Sequence, residues 1–308
     1  MHKEFLMGNE AIAIGALSAG VNFVSGYPGT PSTEVLETVA KRNPGNVYVE
    51  WSVNEKAAME AAAGAAYSGA RTLVTMKQVG LNVACDPLMS LEYIGVKGGM
   101  VIMVADDPGP ISSQTEQDTR TFASFSKVPV FDPSSVQEAY EMIREAFAYS
   151  EEWKTPVLFR ATTRVDHGYE SIEVADPGEY EQHQAEGFQK DSSRWVIFPK
   201  LSVKNHALIE QRNAQLSRTL SEYPRNFVLP AAGRYARDRM GKGIATHGIN
   251  FTYVEDSLGG DDRPQILRVG TPFPFPDQLA LEFLRDKEEV LCVEELDPVI
   301  ERALLAVC

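Results

Sequence analysis

The chain has 308 residues, 44% of them hydrophobic and 23% charged, with a formal net charge of -14. That is enough apolar material for packed cores in two domains of ordinary size, and it excludes general disorder. So acidic a balance argues against nucleic acid or an anionic membrane as the main partner, because both are bound chiefly through Lys and Arg.

The N-terminal stretch, MHKEFLMGNEAIAIGALSAG, is interrupted by Glu4 and Glu10 and reads as neither signal peptide nor membrane span. From residue 8 to about 165 helical patterns alternate with short apolar runs. GNEAIAIGALSAG reads as a helix, VNFVSGY as a strand, and PSTEVLETVAKR as a helix with Thr30 at its N-cap and Pro31 at its first position. NVYVEW is the next strand and the Ala-rich run beginning at SVNEK the next helix. RTLVTMK, GMVIMVAD, VPVFDP and TPVLFRATTR supply further strands, with helices at NVACDPLMSLEYIGV and SVQEAYEMIREAFAYSEEW.

Strands apolar throughout and separated by helices predict a doubly wound, mainly parallel α/β sheet covered on both faces. Ligands in such sheets sit beyond the carboxyl ends of the strands, which singles out the loops GYPGTPS, EWSVNEK, MKQVGLN and ADDPGPISSQTEQDTR. Residues 1–167 form the first expected domain. Residues 168–200 are polar and aperiodic and read as a linker. Residues 201–308 form a second, smaller α/β domain, entered by an exposed helix at HALIEQRNAQLSRTLSEYP.

Glu55 is the most informative single residue. Ser52 and Glu55 have the S-x-x-E spacing of a capping box, and an acidic group in the first turn suits the helix dipole. Yet Ala57, Ala58, Ala61, Ala62, Ala63, Gly64, Ala65, Ala66, Gly69 and Ala70 follow, giving a helix of almost no side-chain volume that another group can approach closely. On the residues alone, cap and chemistry both stand.

Several chemistries are missing. The chain has no G-x-G-x-x-G after a strand, no G-x-x-x-x-G-K-[ST] and no G-x-S-x-G. Cys85, Cys292 and Cys308 show no C-x-x-C pairing, and His2, His167, His183, His206 and His247 show no ligand spacing, so no metal or iron–sulfur site is expected within the chain. GGDDRP at 259–264 is a turn signal only. Isolated thiols fit a reducing cytoplasm.

Taken together, GYPGTPSTEV, EWSVNEKAAMEAAAGAAYSGARTLVTMKQVGLN, VADDPGPISSQTEQDTR and PVLFRATTRVDH resemble the pyrimidine-binding domain of thiamine-diphosphate-dependent 2-oxoacid:ferredoxin oxidoreductases, nearest to the indolepyruvate-type alpha subunits. GIATHGINFTYVEDSL, RVGTPFPFP and VLCVEELDPVIE resemble their middle domain, a fold like the transketolase C-terminal domain. The resemblance implies that Glu55 hydrogen-bonds N1′ of the aminopyrimidine and relays the proton that activates the cofactor. It further implies cofactor contacts from Tyr27, Pro28, Gly29, Thr30, Gln78 and Gly80, the last two mainly through backbone.

Thr30 is also a candidate for holding an oxyanion of the substrate, with N-capping through the same oxygen as the alternative. Arg120 is a candidate clamp for the substrate carboxylate, with a surface salt bridge as the alternative. The family's diphosphate- and metal-binding G-D-G and its cysteine-rich segments have no counterpart in the sequence. The sequence is therefore either one half of a split subunit or a piece of a longer one, and a diphosphate-binding-domain subunit, a gamma-type subunit and an iron–sulfur or ferredoxin-type electron-transfer subunit are expected as partners, iron–sulfur clusters being confined to them, with a 2-oxoacid and coenzyme A as substrates. A non-oxidative thiamine-dependent decarboxylase subunit and a non-catalytic scaffold are the alternatives.

Overall fold

The computed structural model describes residues 1–308 apart from 239, 240, 259 and 261. The chain runs through β1 (His2–Met7), α1 (Gly8–Ser18), β2 (Phe23–Gly26), α2 (Thr33–Arg42), β3 (Tyr48–Trp51), α3 (Glu55–Tyr67), β4 (Thr72–Lys77), α4 (Gln78–Val83), α5 (Cys85–Ile94) and β5 (Met100–Asp106). It continues through α6 (Thr119–Ser126), β6 (Val130–Phe131), α7 (Val136–Trp153), β7 (Val157–Thr162), α8 (Thr163–Asp166) and β8 (Tyr169–Val174).

Six of these strands form a parallel sheet in the order β3-β2-β4-β5-β7-β6. Helices α1, α2 and α7 cover one face, packing Ile12, Ala16, Val35 and Phe147 on Val101 and Phe159. On the other face α3, α5 and α6 set Ala58, Met59, Leu88 and Ala123 against Val74, Ile102 and Leu158. Because both faces are covered, all seven residues of β5 are buried, which is why that strand is written as an unbroken apolar run. After β3 the chain crosses back over β2 to build β4 on its far side. The crevice at the carboxyl ends of β2 and β4 is thus a topological switch point, where ligands of open α/β sheets bind.

The second part contains α9 (Ser192–Trp195), α10 (Pro199–Leu220), β9 (Phe227–Leu229), α11 (Gly233–Asp238), β10 (Lys242–His247), α12 (Gly248–Leu258), β11 (Gln265–Val269), α13 (Asp277–Leu284), β12 (Glu289–Val293) and α14 (Val299–Val307). Its sheet has the order β12-β10-β11-β9, with β9 antiparallel, over a core that includes Ala245, Leu267, Phe283 and Ile300.

The structure departs from the sequence expectation in three places. The segment 168–200 is fastened to the first domain: β8 pairs antiparallel with β1, Glu181 N–H donates to Ser18 O at 3.0 Å, and Gly187 N–H donates to Ser68 O at 2.9 Å. The two backbone bonds beyond β8 leave no hydrophobic period to read. Helix α2 begins at Thr33, flanked by Ser32, so Thr30 is not its cap and Pro31 is not its first residue. Helix α10 buries a stripe of Ile209, Asn213, Leu216 and Leu220 and so is packed along half its length. The expected turn at 259–264 falls partly on Gly259 and Asp261, outside the described residues.

Candidate active site at the switch point

Glu55 is the first residue of α3, and the cap is its neighbour Asn54, whose side-chain oxygen accepts from Ala57 N–H at 2.9 Å. Asn is among the strongest N-cap residues, and in N-E-K-A it stood one position before the helix. The expected Ser52–Glu55 capping box is not formed. Ser52 Oγ instead donates to Glu50 Oε1 at 2.9 Å, leaving the Glu55 carboxylate free of any side-chain hydrogen bond or ion pair among the described residues.

The carboxylate rests on α4. A Cβ at Gly80 would lie 2.5 Å from Glu55 Oε1 and 2.9 Å from Glu55 Cδ, so only a hydrogen on that Cα lets the acid sit there. At Gly64 on α3, by contrast, an added Cβ would meet nothing within 4 Å. The small-residue helix therefore has two faces. Ala58, Met59, Ala62, Ala63 and Ala66 are buried against the sheet, whereas Glu60, Ala61 and Gly64 lie open.

The loop after β2 approaches the same place. Tyr27 N–H donates to Thr75 O at 3.4 Å, and a Cβ at Gly29 would lie 3.3 Å from the Lys77 side chain, one residue before Gln78. Tyr27, Pro28 and Thr30 are exposed. The loop is braced from within, by Gly29 N–H to Thr33 Oγ1 at 3.0 Å and by Ser32 Oγ to Gly29 O at 2.8 Å. It is braced from outside by Ser112 Oγ, which donates to Thr30 O at 3.2 Å. Asp107 holds the 107–113 loop in turn, accepting N–H bonds from Ile111, Ser112 and Ser113. Burial pushes its carboxyl up, but these bonds outweigh that and leave it below the usual range. Glu55, Gly80, Gln78 and the Tyr27–Thr30 loop thus gather at one crevice.

Arg120 lies elsewhere. It is fully buried on α6, and its Nε and Nη2 fork Asp118 at 3.1 and 2.7 Å. Nη1 meets Glu294 Oε2 at 2.8 Å, and Nη2 also donates to Glu295 O at 2.5 Å and Asp297 O at 2.8 Å. With its fork turned onto in-chain carboxylates and carbonyls, Arg120 is neither a substrate clamp nor a surface ion pair. It ties the first domain to the loop after β12.

Beside it runs a second buried network that the sequence analysis missed. Arg160 Nε donates to Asp106 at 2.8 Å and its Nη1 to Asp132 at 3.2 Å. His247, from the second domain, meets Asp132 Oδ2 at 2.6 Å. Burial alone would raise the Asp132 carboxyl, but the Arg160 charge and then His247 overcome it and hold it at about 2. His247 is itself pushed down, first by burial. A lone arginine inside the apolar strand PVLFRAT was the available signal, since a buried charge requires a partner.

Comparison with known proteins identifies the family. A family model described as pyruvate flavodoxin/ferredoxin oxidoreductase, thiamine diphosphate-binding, matches residues 14–222. The indolepyruvate oxidoreductase subunit IorA of Thermococcus kodakarensis is 43% identical over 97% of this chain and 46% of its own length. The subunit of that name from Methanothermobacter marburgensis is 44% identical over 98% of this chain and 48% of its own length. The chain spans about half the length of these curated relatives. The solved 2-oxoglutarate:ferredoxin oxidoreductase from Magnetococcus marinus shares the fold, with a TM-score of 0.75 at 18% identity over 97% of this chain and 59% of that one. With two thirds of its length inside the matched region, the chain belongs to the thiamine-diphosphate-binding family of pyruvate flavodoxin/ferredoxin oxidoreductases.

Proposed function

We propose that the chain is the cofactor-activating component of a multi-subunit 2-oxoacid oxidoreductase that oxidatively decarboxylates an aryl pyruvate to its acyl-coenzyme A and passes electrons to ferredoxin. The observation that carries this reading is the unpaired Glu55 carboxylate at the switch point, seated on Gly80. The cradle fits the aminopyrimidine end of thiamine diphosphate: one acid without a side-chain partner among the described residues, and a glycine where a Cβ would collide with it. When bound, the cofactor supplies a carbon nucleophile for attack on the 2-oxo group.

In this reading Glu55 shares a proton with N1′, Gln78 and Gly80 offer backbone to the ring, and the Tyr27–Thr30 loop closes over it. Thr30, exposed at the tip of that loop, is positioned as a hydroxyl donor to the substrate. The substrate carboxylate needs a cation other than Arg120. A partner with a diphosphate-binding domain supplies the metal and diphosphate site, and gamma-type and iron–sulfur subunits complete the assembly.

The test is reconstitution. Indolepyruvate-dependent ferredoxin reduction is expected only when the chain is combined with a diphosphate-binding subunit and its electron-transfer partner. Turnover by the pure chain would overturn the split-site reading.

A further inference from the structure

The inward fork of Arg120 leaves the carboxylate of the proposed 2-oxoacid without a cation. The segments that ring the switch-point crevice are 27–32, 77–83 and 107–119, the last touching the other two through Ser112 to Thr30 O and Gln78 to Thr115 O. They contain one basic residue, Lys77, against Asp107, Glu116 and Asp118. Two of those acids are already engaged, Asp107 by backbone N–H groups and Asp118 by Arg120.

Lys77 ends β4 and directly precedes α4. Side chains alternate along the strand: Val74 and Met76 pack with α3 and α5, whereas Leu73 packs with α1 and α2, and Lys77, four residues on, shares its face. The lysine therefore leaves the sheet on the side away from Glu55, and the two make no ion pair. Its stem is laid against the loop after β2, where a Cβ at Gly29 would lie 3.3 Å from both Lys77 Cγ and Cδ and 3.6 Å from Cε. That loop is fixed from below, because Asn9, fully buried on α1, donates Nδ2 to Pro31 O at 2.6 Å and to Glu34 Oε2 at 2.9 Å.

The other partly buried lysines, Lys56, Lys97, Lys127 and Lys287, each meet a carboxylate. Lys77 differs. Its ammonium has neither ion pair nor hydrogen bond among the described residues, although a charge drawn partly out of water is unfavourable until an anion or acceptor meets it. We infer that Lys77 receives the carboxylate of the 2-oxoacid, beside the Thr30 hydroxyl at the tip of the same loop. The inference rests on the proposed function and deepens it by naming the cation which that reading requires. An ammonium is a compact point charge on a flexible stem, so it can hold the carboxylate by a charge-assisted N–H···O bond without the planar fork that Arg120 closes on Asp118.

The test uses the assembled enzyme with indole-3-pyruvate and with two unreactive ligands, indole-3-lactate and its neutral counterpart indole-3-ethanol. Lys77→Met should raise KM for the 2-oxoacid by about 10- to 10²-fold with kcat within about twofold, the pattern of a lost charge-assisted binding contact. Lys77→Arg, which keeps the charge, should recover part of the loss. Calorimetric Kd for indole-3-lactate should weaken in Lys77→Met by a similar factor, while Kd values for indole-3-ethanol and for thiamine diphosphate stay as in wild type. Urea unfolding should be near wild type in both variants, since the ammonium has no partner to lose. An unchanged KM and lactate Kd in Lys77→Met would overturn the assignment. A weakened thiamine diphosphate Kd beside an unchanged lactate Kd would overturn it too, placing the ammonium on the cofactor's diphosphate. Failure of the wild type to turn over any 2-oxoacid would defeat the parent reading instead, and the Kd series would still decide Lys77.

Discussion

Two acidic neighbourhoods in this chain are built to opposite ends. At the seam between the domains, Asp106, Asp118, Asp132 and Glu294 face Arg120 and Arg160, and ten-ångström-scale solvent screening does not reach them because every member is buried. At the switch point Glu55 faces no cation and rests against a glycine. The seam shows what a carboxylate does when it serves architecture: it is paired and closed. Glu55 has no side-chain partner among the described residues, which is the arrangement the proposed role requires.

The contrast breaks most visibly at Arg120. Arg120→Ala leaves Asp118 and Glu294 buried without their cation, and a stability loss of about 3–5 kcal/mol is expected, measured by chemical denaturation. A variant as stable as wild type but weak in 2-oxoacid affinity would return Arg120 to the site.

Gly80→Ala probes the other neighbourhood. The new Cβ displaces the Glu55 carboxylate, and since a misplacement of about 1 Å can cost on the order of 10²-fold in rate, cofactor-dependent turnover should fall by about 10- to 10²-fold while the fold survives. Unchanged turnover would show that the contact with Gly80 does not position the acid.

A pH titration sharpens the comparison. Burial lifts the Glu92 carboxyl to about 7 despite its Arg212 partner. A pKa raised on folding gives a contribution that is full below the unfolded value near 4.5 and is lost as pH rises through 7. Glu92→Gln should flatten the stability profile between those limits. Asp132, held at about 2, has the opposite sign: its contribution is present above the unfolded value near 3.8 and is lost as pH falls toward 2. A profile unaltered by Glu92→Gln would place that carboxyl in the ordinary range.

The smallest effect is expected at Gly64, on the open face of α3. Gly64→Ala meets no atom within 4 Å and should stabilise the isolated chain by about 0.5–1 kcal/mol through lost unfolded-state entropy. If the partner closes on this face, the same variant should weaken assembly, read by sedimentation. Assembly as tight as wild type would leave that face outside the interface.

Much of this was legible in the sequence, for physical reasons. The run of β5 announces a strand covered on both faces, and the small-residue helix after Glu55 announces close approach. Strand β8 was also written in period two, with Ile172 and Val174 buried, but its acidic flanks concealed it. Arg120 was read as a substrate-carboxylate clamp or a surface ion pair, whereas its fork is buried and closed on Asp118, two residues away. The seat of Glu55 on Gly80 joins residues 25 positions apart, and His247 meets Asp132 across the domains; neither contact has a local signal.

The central claim is that Glu55 moves a proton and does not merely cap a helix. It is tested by Glu55→Gln in the assembled enzyme, following exchange of the thiazolium C2–H of bound thiamine diphosphate by NMR. The amide keeps the shape of the acid and loses its exchangeable proton, so exchange should slow by at least about 10²-fold, with thermal stability and assembly near wild type because Asn54 still caps α3. An exchange rate equal to wild type, together with a loss of stability, would contradict the account and return Glu55 to a structural role.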